Sequence, residues 1–286
     1  MNSLNPDNFN IKASVLIIGL NCSKTIAQCL ATVQCFAEVV YVDGGSKDNS
    51  IGIARNFPNV KIFENPWPGF IAQRNFSIDC ATMDWCFMID ADEQLTLDCA
   101  QEINRIIGSA TDLKNYPHPM YKIVRTEFFE GREVSAGIGQ SDYQERLFIR
   151  NRVRYTGGNH HEHLIDGVNS NLCREKVGAF PTHLRILHDQ TYRLEDMLLK
   201  VPRFSLLVGR EKFDRGRRVT AFGIVFTFVW TFCRFYIKSL KMKERGVVLS
   251  FMKAFNDSLA KLYIYNLDHC RLPEEKNIQV ENKYLG

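Results

Sequence analysis

The sequence lacks the cysteine patterns of a disulfide framework or of a zinc module. Its nine cysteines are scattered, with no C-x-x-C pair and no finger-like spacing. The first residues show no basic stretch followed by an apolar one, so no signal peptide is predicted. Six cysteines stand in apolar surroundings, which predicts buried thiols in a reducing compartment: Cys22, Cys29, Cys35, Cys80, Cys86 and Cys99.

Phosphate-binding glycine motifs are also absent from the sequence. It contains neither G-x-G-x-x-G nor G-x-x-x-x-G-K-[ST], which argues against a Rossmann dinucleotide site and against a P-loop. There are no internal repeats and no low-complexity stretches. The apolar content of 45% and the charged content of 24% are typical of a globular protein, and 286 residues fit one large domain or a domain with an appendage.

Positive charge is concentrated in one part of the chain. Between Lys200 and Arg245, twelve Lys or Arg residues stand against three acidic residues, a balance of +9. Because the net charge of the whole chain is +4, the remainder carries −5. This asymmetry predicts two parts with different tasks, an α/β domain at 1–188 and a helical basic tail at 189–286.

Hydrophobic periodicity predicts alternating strands and helices over the first 110 residues. Asn21-Cys22-Ser23 supplies N-cap chemistry for a helix that ends near Val33. This alternation is typical of a doubly wound parallel sheet. The predicted strands are 14–20, 39–42, 60–63 and 85–89, and the further helices are 50–56, 71–81 and 97–107.

The pattern changes after Tyr116. Residues 120–125 and 145–150 alternate between polar and apolar side chains, as half-exposed strands do. After His188 the pattern is helical to about Leu267, and Pro202 is expected to kink this part or to separate two helices. The predicted fold is therefore α/β, a mostly parallel sheet flanked by helices, with a C-terminal helical extension.

Three carboxylates follow the apolar run that begins at Trp85. Charge cannot stay buried without a partner, so Asp90, Asp92 and Glu93 are expected to emerge where the strand leaves the core. In open α/β sheets this edge is where ligands bind. Asp90 and Asp92 flank one small residue and can both turn toward a hard cation such as Mg²⁺ or Mn²⁺. A solvated acidic loop in which Asp92 caps the next helix explains the same residues.

A glycine-bearing loop, Asp43 to Ser50, follows the second predicted strand. Gly44 and Gly45 permit tight backbone geometry and close approach of a ligand. A carboxylate at Asp43 can accept hydrogen bonds from a base N–H or from ribose hydroxyls. A plain strand-to-helix turn is the alternative interpretation.

Together these segments resemble the family 2 glycosyltransferases of the GT-A fold. The order and spacing of the matching residues both fit that family, and the resemblance covers roughly the first 110 residues. The family pattern often has Asn-Glu after the first strand, whereas this chain has Asn21-Cys22, so Cys22 is given no role. The matching segments are Val15 to Asn21, Val40 to Ser50, Gln73 to Asn75 and Met88 to Glu93.

The resemblance implies roles for five residues. Asp43 and Gly45 would both belong to the nucleotide-binding site, with Asp43 contacting the base of the donor, uracil. Arg74 would lie near the ribose or the diphosphate, although from the residues alone it could equally be a surface residue in an ion pair. Asp90 and Asp92 would be the D-x-D pair, with Asp90 beside the nucleotide and Asp92 in direct contact with the metal.

The second half resembles the lipopolysaccharide core glycosyltransferases, through Arg146-Leu147-Phe148, His161-Glu162 and the basic tail. An inverting transfer needs a carboxylate to take the proton of the acceptor hydroxyl. The candidates for this base are Glu162, Asp142 and Glu145. His161 would complete the metal shell or contact the diphosphate, while ordinary loop histidines remain the alternative for the group from His160 to His163.

A strongly apolar and aromatic run extends from Ala221 to Cys233, with Arg and Lys residues on both sides. A membrane span needs roughly 20 consecutive apolar residues, and this run is shorter because Arg234 ends it. A helix that lies in the interface of an anionic membrane fits the run better. A buried helix that packs on the catalytic domain or on a dimer partner is the alternative.

We therefore expect a metal-dependent inverting glycosyltransferase of the hexosyltransferase type. Residues 1–188 would form the GT-A catalytic domain, with 1–110 binding the nucleotide and 111–188 facing the acceptor. Mg²⁺ or Mn²⁺ would be the cofactor, a UDP-sugar the donor, and a glycolipid or lipopolysaccharide-core saccharide the acceptor. The enzyme would be cytoplasmic and peripheral on the inner face of the cytoplasmic membrane.

Other functions fit parts of the sequence. No recognition motif for nucleic acid accompanies the basic surface, so nucleic acid is not an expected partner. A nucleotidyltransferase that makes an activated sugar also uses an α/β sheet and acidic metal ligands. A non-catalytic scaffold of the same fold that docks on membranes is the second alternative.

Overall fold

The computed structural model describes residues 10–129, 131–134, 142–158, 161–166, 177–192 and 194–269. The strands are β1 (Ile11–Gly19), β2 (Phe36–Asp43), β3 (Val60–Glu64), β4 (Trp85–Met88), β5 (Glu93–Leu95), β6 (Met120–Phe129), β7 (Arg132–Glu133), β8 (Asp142–Ile149), β9 (Val153–Gly158), β10 (His161–Asp166), β11 (Val177–Ala179) and β12 (Arg185–Tyr192). The helices are α1 (Ile26–Thr32), α2 (Ser50–Ala54), α3 (Phe70–Cys80), α4 (Leu97–Ser109), α5 (Leu194–Asp214), α6 (Ala221–Ser239) and α7 (Glu244–His269).

A mixed sheet organises the first part of the chain. Its strand order is β3-β2-β1-β4-β8-β6-β12-β5, with β7 and β11 paired to β6. The strands β3, β2, β1 and β4 run parallel, as the alternation of strands and helices predicts. From β8 onward the pairing includes antiparallel ladders, β4 with β8 and β8 with β6, so the sheet is not doubly wound throughout.

Apolar side chains fill both faces of the parallel strands. Eight of the nine residues of β1 are buried, as expected for a strand covered on both sides. One apolar cluster includes Ile17 and Phe87, and a second cluster includes Leu16 and Met88, one residue along each strand. Successive side chains point to opposite faces, so these clusters are the cores on the two sides of the sheet.

Glu38 is a buried carboxylate that links three strands of this sheet. It accepts hydrogen bonds from Lys61 Nζ at 2.7 Å, from the Thr82 backbone N–H at 2.9 Å and from the Ser14 hydroxyl. Burial raises the pKa of Glu38, but these bonds outweigh that effect and lower its pKa to about 2. The carboxylate is therefore ionised and fully paired in the folded protein.

The expected helix cap at Asn21-Cys22-Ser23 is wrong. The helix α1 begins only at Ile26, and Asn21 has a left-handed φ of 53°. Asn21 donates its backbone N–H to the Ser46 hydroxyl and accepts from the backbone N–H of Lys47, both at 2.8 Å. The residues after β1 therefore form hydrogen bonds with the loop after β2 instead of capping a helix. These bonds connect the end of β1 to the end of β2.

The second compact unit includes the chain from Tyr192 onward, together with the short segment 134–140, and contains the three long helices. The helix α5 runs through Pro202, so this proline does not separate two helices, and the expected alternative, a kink at Pro202, stays a prediction. Helix α7 packs against both α5 and α6. A Cβ at Gly209 would lie 2.8 Å from the Ala260 carbonyl oxygen, so glycine permits α5 to approach α7 closely.

The described cysteines are free thiols, as the sequence predicts. Cys29, Cys35, Cys86 and Cys99 are buried as predicted, whereas Cys22 and Cys80 are half-buried, so the prediction of a buried thiol is wrong for these two. Burial raises the pKa of the Cys29 and Cys86 thiols. These groups are packing residues with low reactivity, in keeping with their apolar surroundings.

Candidate active site

The candidate site lies where the parallel strands end. In the register of the sheet, Gly19 at the end of β1 pairs with Asp43 at the end of β2. The backbone N–H of Ile89, just after β4, donates to the Leu16 carbonyl oxygen at 3.1 Å, which places Asp90 beside the same edge. The topology therefore brings the loop at Asp43 and the acidic turn at Asp90 to the edge where α/β sheets bind ligands.

The acidic turn is held by its own third carboxylate. The Asp90 backbone N–H donates to Glu93 Oε2 at 2.9 Å, and the Glu93 backbone N–H donates to the Asp90 carbonyl oxygen at 3.0 Å. The side chains of Asp90 and Asp92 are 26% and 23% exposed, whereas Glu93 is fully buried. The expectation that all three carboxylates emerge is thus wrong for Glu93, because buried arginines pair with it.

Two guanidinium groups hold Asp90 from both sides. Arg74 Nη2, from α3, lies 3.1 Å from Asp90 Oδ1, and Arg146 Nη2, from β8, lies 2.9 Å from Oδ2. Burial raises the pKa of Asp90, but Arg146 and then Arg74 outweigh burial and hold it well below the usual range. Arg74 makes an ion pair, as the interpretation from the residues alone allowed, but its partner is a member of the D-x-D pair.

Arg146 is itself almost completely buried, with 3% of its side chain exposed. The same Nη2 atom lies 2.6 Å from Glu93 Oε1, so one guanidinium contacts both carboxylates of the turn. Burial raises the pKa of Glu93, and the positive charge of Arg146 opposes that rise. Arg146 therefore fixes the turn from beneath, a role that the Arg-Leu-Phe resemblance did not assign.

A second chain of charges reaches Asp92 from β6 and β12. His188 Nε2 lies 3.3 Å from Asp92 Oδ2, and His188 Nδ1 lies 2.5 Å from Glu127 Oε2. Arg125 Nη2 lies 2.8 Å from Glu127 Oε1, and Arg125 Nη1 lies 3.6 Å from Glu93 Oε1. Burial lowers the pKa of His188, but the hydrogen bonds to Asp92 and Glu127 outweigh burial and raise it to about 9.

These contacts join into one charge network in which positive and negative groups alternate. The sequence interpretation missed Arg125, Glu127 and His188. A weak signal for the first two was present, because charges two residues apart in a strand share one face, and the preceding residues of this face of β6, Tyr121 and Ile123, are largely apolar. The members of the network, in order of contact, are Arg74, Asp90, Arg146, Glu93, Arg125, Glu127, His188 and Asp92.

Asp43 is fully buried and shapes the loop that follows β2. Its Oδ1 accepts from the backbone N–H groups of Gly45 and Ser46, at 2.9 and 2.7 Å. Its Oδ2 accepts from the Tyr41 and Ser46 hydroxyls, at 2.9 and 2.6 Å. Gly45 has φ +97°, a conformation that glycine adopts readily. This geometry matches the strand-to-helix turn, and the contact of Asp43 with a nucleotide base stays a prediction.

The predicted bases lie on β8 and on the β9–β10 hairpin. Glu145 Oε2 accepts from the Leu164 backbone N–H at 3.1 Å, so this carboxylate connects β8 to β10. In the hairpin register, Glu162 pairs with Gly157. The side chains of Asp142, His161 and Glu162 lie outside the described part of the structure, and their roles stay predictions.

The hairpin is attached to the helix that carries Arg74. The Asn75 side chain donates to the Tyr155 carbonyl oxygen at 3.0 Å and accepts from the Tyr155 backbone N–H at 2.9 Å. The Arg74 guanidinium lies over the Tyr155 ring, 5.2 Å from its centroid. The hairpin with Glu162 is therefore anchored next to the arginine that contacts Asp90.

The carboxylate oxygens of Asp92 suit a hard divalent cation whose other coordination positions are filled by water and by phosphate oxygens. Mg²⁺ and Mn²⁺ commonly take one or two carboxylates from the protein and the remaining ligands from a phosphorylated substrate. Within the described residues no cluster of three or more His, Cys, Asp or Glu side chains is arranged to enclose a metal. Asp92 fits this limited demand, since its carboxylate is partly exposed at the ligand-binding edge of the sheet. It does not cap the next helix, whose N-cap residue is Thr96.

Comparison with known proteins agrees with this architecture. Lipopolysaccharide core biosynthesis glycosyltransferase LpsC from Rhizobium meliloti (strain 1021) is 22% identical over 231 residues, 79% of this chain and 81% of LpsC. The uncharacterized glycosyltransferase RT0209 from Rickettsia typhi (strain Wilmington) is 24% identical over 286 residues, 96% of this chain and 92% of the relative.

A solved structure shares the fold. Mannosyltransferase PcManGT from Pyrobaculum calidifontis, in complex with GDP-Man and Mn²⁺, superposes with a TM-score of 0.53 at 13% identity, covering 91% of this chain and 89% of that chain. The predicted GT-A fold with a C-terminal helical part is thereby confirmed. The family described as glycosyl transferase family 2 matches residues 14–162, more than half of the chain. The chain therefore belongs to glycosyl transferase family 2 and is a glycosyltransferase.

Proposed function

We propose that this glycosyltransferase uses a nucleotide diphosphate sugar, a UDP-sugar, as donor and a glycolipid or lipopolysaccharide-core saccharide as acceptor. The observation that carries the proposal is the acidic turn after β4. One carboxylate of this turn, Asp92, is partly exposed beside the imidazole of His188, and the other, Asp90, is held between two guanidinium groups. A cation held by Asp92 in such an arrangement would contact the phosphates of the donor at the ligand-binding edge of the sheet.

Asp92 would hold the Mg²⁺ or Mn²⁺ ion, with His161 as a further candidate ligand. His188, whose pKa is raised to about 9, would orient the Asp92 carboxylate through its N–H rather than bind the ion. When bound there, the cation would neutralise negative charge on the departing diphosphate. Asp90 would act differently, because both of its oxygens already face arginines. It orients Arg74 and lies beside the nucleotide. The PcManGT complex with GDP-Man and Mn²⁺ supports a divalent metal in this fold.

In this proposal Arg74 binds the donor's ribose or diphosphate. Its side chain is 14% exposed, and its guanidinium is fixed between Asp90 and the Tyr155 ring. A guanidinium with a fixed orientation loses little side-chain entropy when it binds a phosphate oxygen. Its positive charge also stabilises a leaving diphosphate.

The transfer proceeds by inversion in this proposal. The acceptor hydroxyl oxygen attacks the anomeric carbon, the bond from that carbon to the diphosphate oxygen breaks, and the hydroxyl proton passes to a carboxylate. Glu162 is the first candidate for this base, with Asp142 and Glu145 after it. Replacing Glu162 by Gln should abolish turnover while UDP binding survives, and a fully active variant would remove Glu162 from this role.

The acceptor class and the location rest on the chain's likeness to LpsC and on its basic tail. The printed name of LpsC assigns that relative to lipopolysaccharide core biosynthesis. Lipid-linked core saccharides are assembled at a membrane, so the enzyme is proposed to work in the cytoplasm, peripheral on the inner face of the cytoplasmic membrane.

Titration calorimetry with UDP tests the donor site directly. Wild-type protein should bind UDP more tightly with Mn²⁺ than with a chelator, and Asp92→Asn should reduce the metal-dependent affinity on the order of 100-fold. Asp98→Asn is the matched control, since Asp98 is an exposed carboxylate on α4. Equal metal-dependent binding by Asp92→Asn and wild type would refute the metal assignment.

A product assay separates this proposal from its alternatives. Incubation with a UDP-sugar and a core saccharide should release UDP. A separate incubation with UTP and a sugar 1-phosphate tests the nucleotidyltransferase alternative, which would release pyrophosphate. A complete lack of metal-dependent UDP binding would agree with a scaffold that has lost the transferase reaction.

A further inference from the structure

Helix α6 presents one continuous apolar face to solvent. The exposed residues recur at helical spacing from Phe222 to Ile237 along one side of α6, and Leu240 continues this stripe just after the helix. Isolated exposed apolar residues are ordinary, whereas a contiguous patch indicates an interaction surface. The members and their exposed fractions are Phe222 77%, Val225 63%, Phe226 55%, Val229 54%, Trp230 59%, Ile237 67% and Leu240 54%.

The opposite side of α6 determines which way this stripe faces. Thr227 accepts a hydrogen bond from Lys261 Nζ of α7 at 2.6 Å, and Phe228 packs edge-on against Phe251 of the same helix at 5.5 Å. Thr231 is buried. These contacts fix the inner side of α6 against α7, so the aromatic stripe must point away from the helix pair.

The exposed aromatic rings are ordered among themselves. Phe222 stacks on Phe226 with ring centroids 6.3 Å apart, and Phe226 stacks on Trp230 at 6.2 Å. Side chains four residues apart lie one above the other on a helix. The result is a ridge of three large rings, which presents apolar area with little further loss of side-chain entropy on burial.

A row of cations borders the stripe. Arg234 and Lys238 are exposed and four residues apart, which places them on one row of α6, and exposed Lys241 follows in the 3₁₀ turn Leu240–Met242 just after the helix. Lys243 is also exposed, just before α7. A partner for this surface must therefore offer an apolar region to the aromatic stripe and negatively charged groups to the cations that border it.

We propose that α6 docks this enzyme lengthwise on an anionic phospholipid bilayer. The Phe222–Phe226–Trp230 ridge enters the interface below the phosphates, and the cation row contacts the phosphate groups. This inference identifies the surface responsible for the proposed membrane location, and it does not depend on the donor or on the reaction.

The same features favour a helix in the plane of the membrane over one that crosses it. The segment Ala221–Met242 is long and apolar enough to cross a bilayer by length and composition, with a mean hydropathy of 1.3. However, crossing would carry Arg234 and Lys238 into hydrocarbon, which is costly for charged side chains. It would also remove Thr227 from Lys261 of α7.

Vesicle flotation of the full-length chain tests the docking surface. The chain should float with vesicles that contain phosphatidylglycerol in phosphatidylcholine and should float poorly with phosphatidylcholine alone. Phe226→Glu combined with Trp230→Glu should lower the partition coefficient by at least about tenfold. Leu262→Glu on α7 is the matched control, since Leu262 is 49% exposed and lies outside the stripe, and it should float like wild type.

The cation row is tested by charge reversal. Lys238→Glu with Lys241→Glu should reduce binding to the anionic vesicles on the order of tenfold or more, and added salt should reduce wild-type binding. Lys12→Glu with Lys24→Glu changes the net charge by the same amount at two exposed positions of the first unit. If this control pair loses binding as strongly, net charge rather than the row drives association and the proposal is overturned.

Fluorescence reports the depth of insertion. Trp230 is the tryptophan on the stripe, whereas Trp85 is buried in the sheet. Anionic vesicles should shift the emission of wild-type protein to shorter wavelength, and Trp230→Phe should abolish the shift while flotation persists. An unchanged shift in Trp230→Phe would show that Trp230 does not enter the bilayer and would overturn the proposal.

Other results would also overturn the proposal. One such result is that the wild-type chain does not float with anionic vesicles, and another is that the Phe226→Glu, Trp230→Glu variant floats as well as wild type. A third is that ultracentrifugation shows a wild-type dimer that becomes monomeric in this variant, while neither protein binds vesicles. Circular dichroism and UDP binding of each variant establish that it is folded. Vesicle binding without any turnover would leave the docking surface intact and count against the proposed reaction only.

Discussion

Replacing Arg146 by methionine tests whether the acidic turn depends on a buried guanidinium. The side chain of Arg146 is 3% exposed and lies 2.9 Å from Asp90 and 2.6 Å from Glu93. Methionine keeps much of the volume and removes the charge, which leaves the fully buried Glu93 with one distant cation, Arg125 at 3.6 Å. Removal of one partner from a buried ion pair costs about 3–5 kcal/mol.

The assay for this change is denaturant or thermal unfolding. For a unit of this size, such a loss corresponds to a melting temperature lower by about 10 °C. Arg146→Lys should recover only part of the stability, because the lysine side chain is one bond shorter and its ammonium group does not reach the position from which Nη2 contacts both carboxylates. Variants that stay folded should also bind UDP with Mn²⁺ more weakly, since the turn that carries Asp92 has lost its support.

A surface pair and a double variant serve as controls. Arg105→Met removes a guanidinium that contacts Glu102 through two hydrogen bonds but is 68% exposed, and it should change stability little. Glu93→Gln combined with Arg146→Met should be more stable than Arg146→Met alone, because no unpaired charge stays buried. If Arg146→Met unfolds like Arg105→Met, the buried network does not support the turn and the reasoning is wrong.

Three further predictions concern the surroundings of the site. Hydrogen bonds lower the pKa of Glu38 from 4.5 to about 2, so its contribution to the free energy of unfolding is complete above pH 4.5 and is lost as the pH falls toward 2. Glu38→Gln should flatten this part of a plot of unfolding free energy against pH. An unchanged plot would contradict the assignment. Gly45→Ala should lower the free energy of unfolding by about 1–2 kcal/mol because φ there is +97°, whereas the control Gly108→Ala in α4 should raise it by about 0.5–1 kcal/mol, as thermal melts can check. Asn75→Ala removes both bonds to the Tyr155 backbone and should speed hydrogen exchange at that amide; unaltered exchange would show that the hairpin is held by other contacts.

Local patterns were sufficient to predict the parallel half of the sheet. The apolar runs at β1, β2, β3 and β4 specify buried strands, and parallel strands meet the ligand edge at their carboxyl ends. The D-x-D residues could be placed for the same reason, because Asp90 directly follows an apolar run that must be inside the core. For these elements, residues close together in the sequence are sufficient to predict the structure.

The support of the site could not be predicted in this way. Glu127 and His188 are 61 residues apart in sequence and meet only because β6 and β12 are neighbours in the sheet. The burial of Glu93 likewise depends on Arg146, 53 residues further along the chain. Isolated sequence rules treat a run of three carboxylates as exposed, whereas tertiary pairing can keep one of them inside.

The alternating charge network also constrains how this protein can diverge. Each internal member has an opposite charge on either side, so a mutation that removes one charge leaves two neighbours unbalanced in a poorly solvated place. A compensating mutation at an adjoining position restores the balance. Substitutions at Glu93, Arg125, Glu127 and Arg146 are therefore expected to arise in coordinated pairs over evolutionary time, and aligned sequences of related enzymes would reveal that covariation.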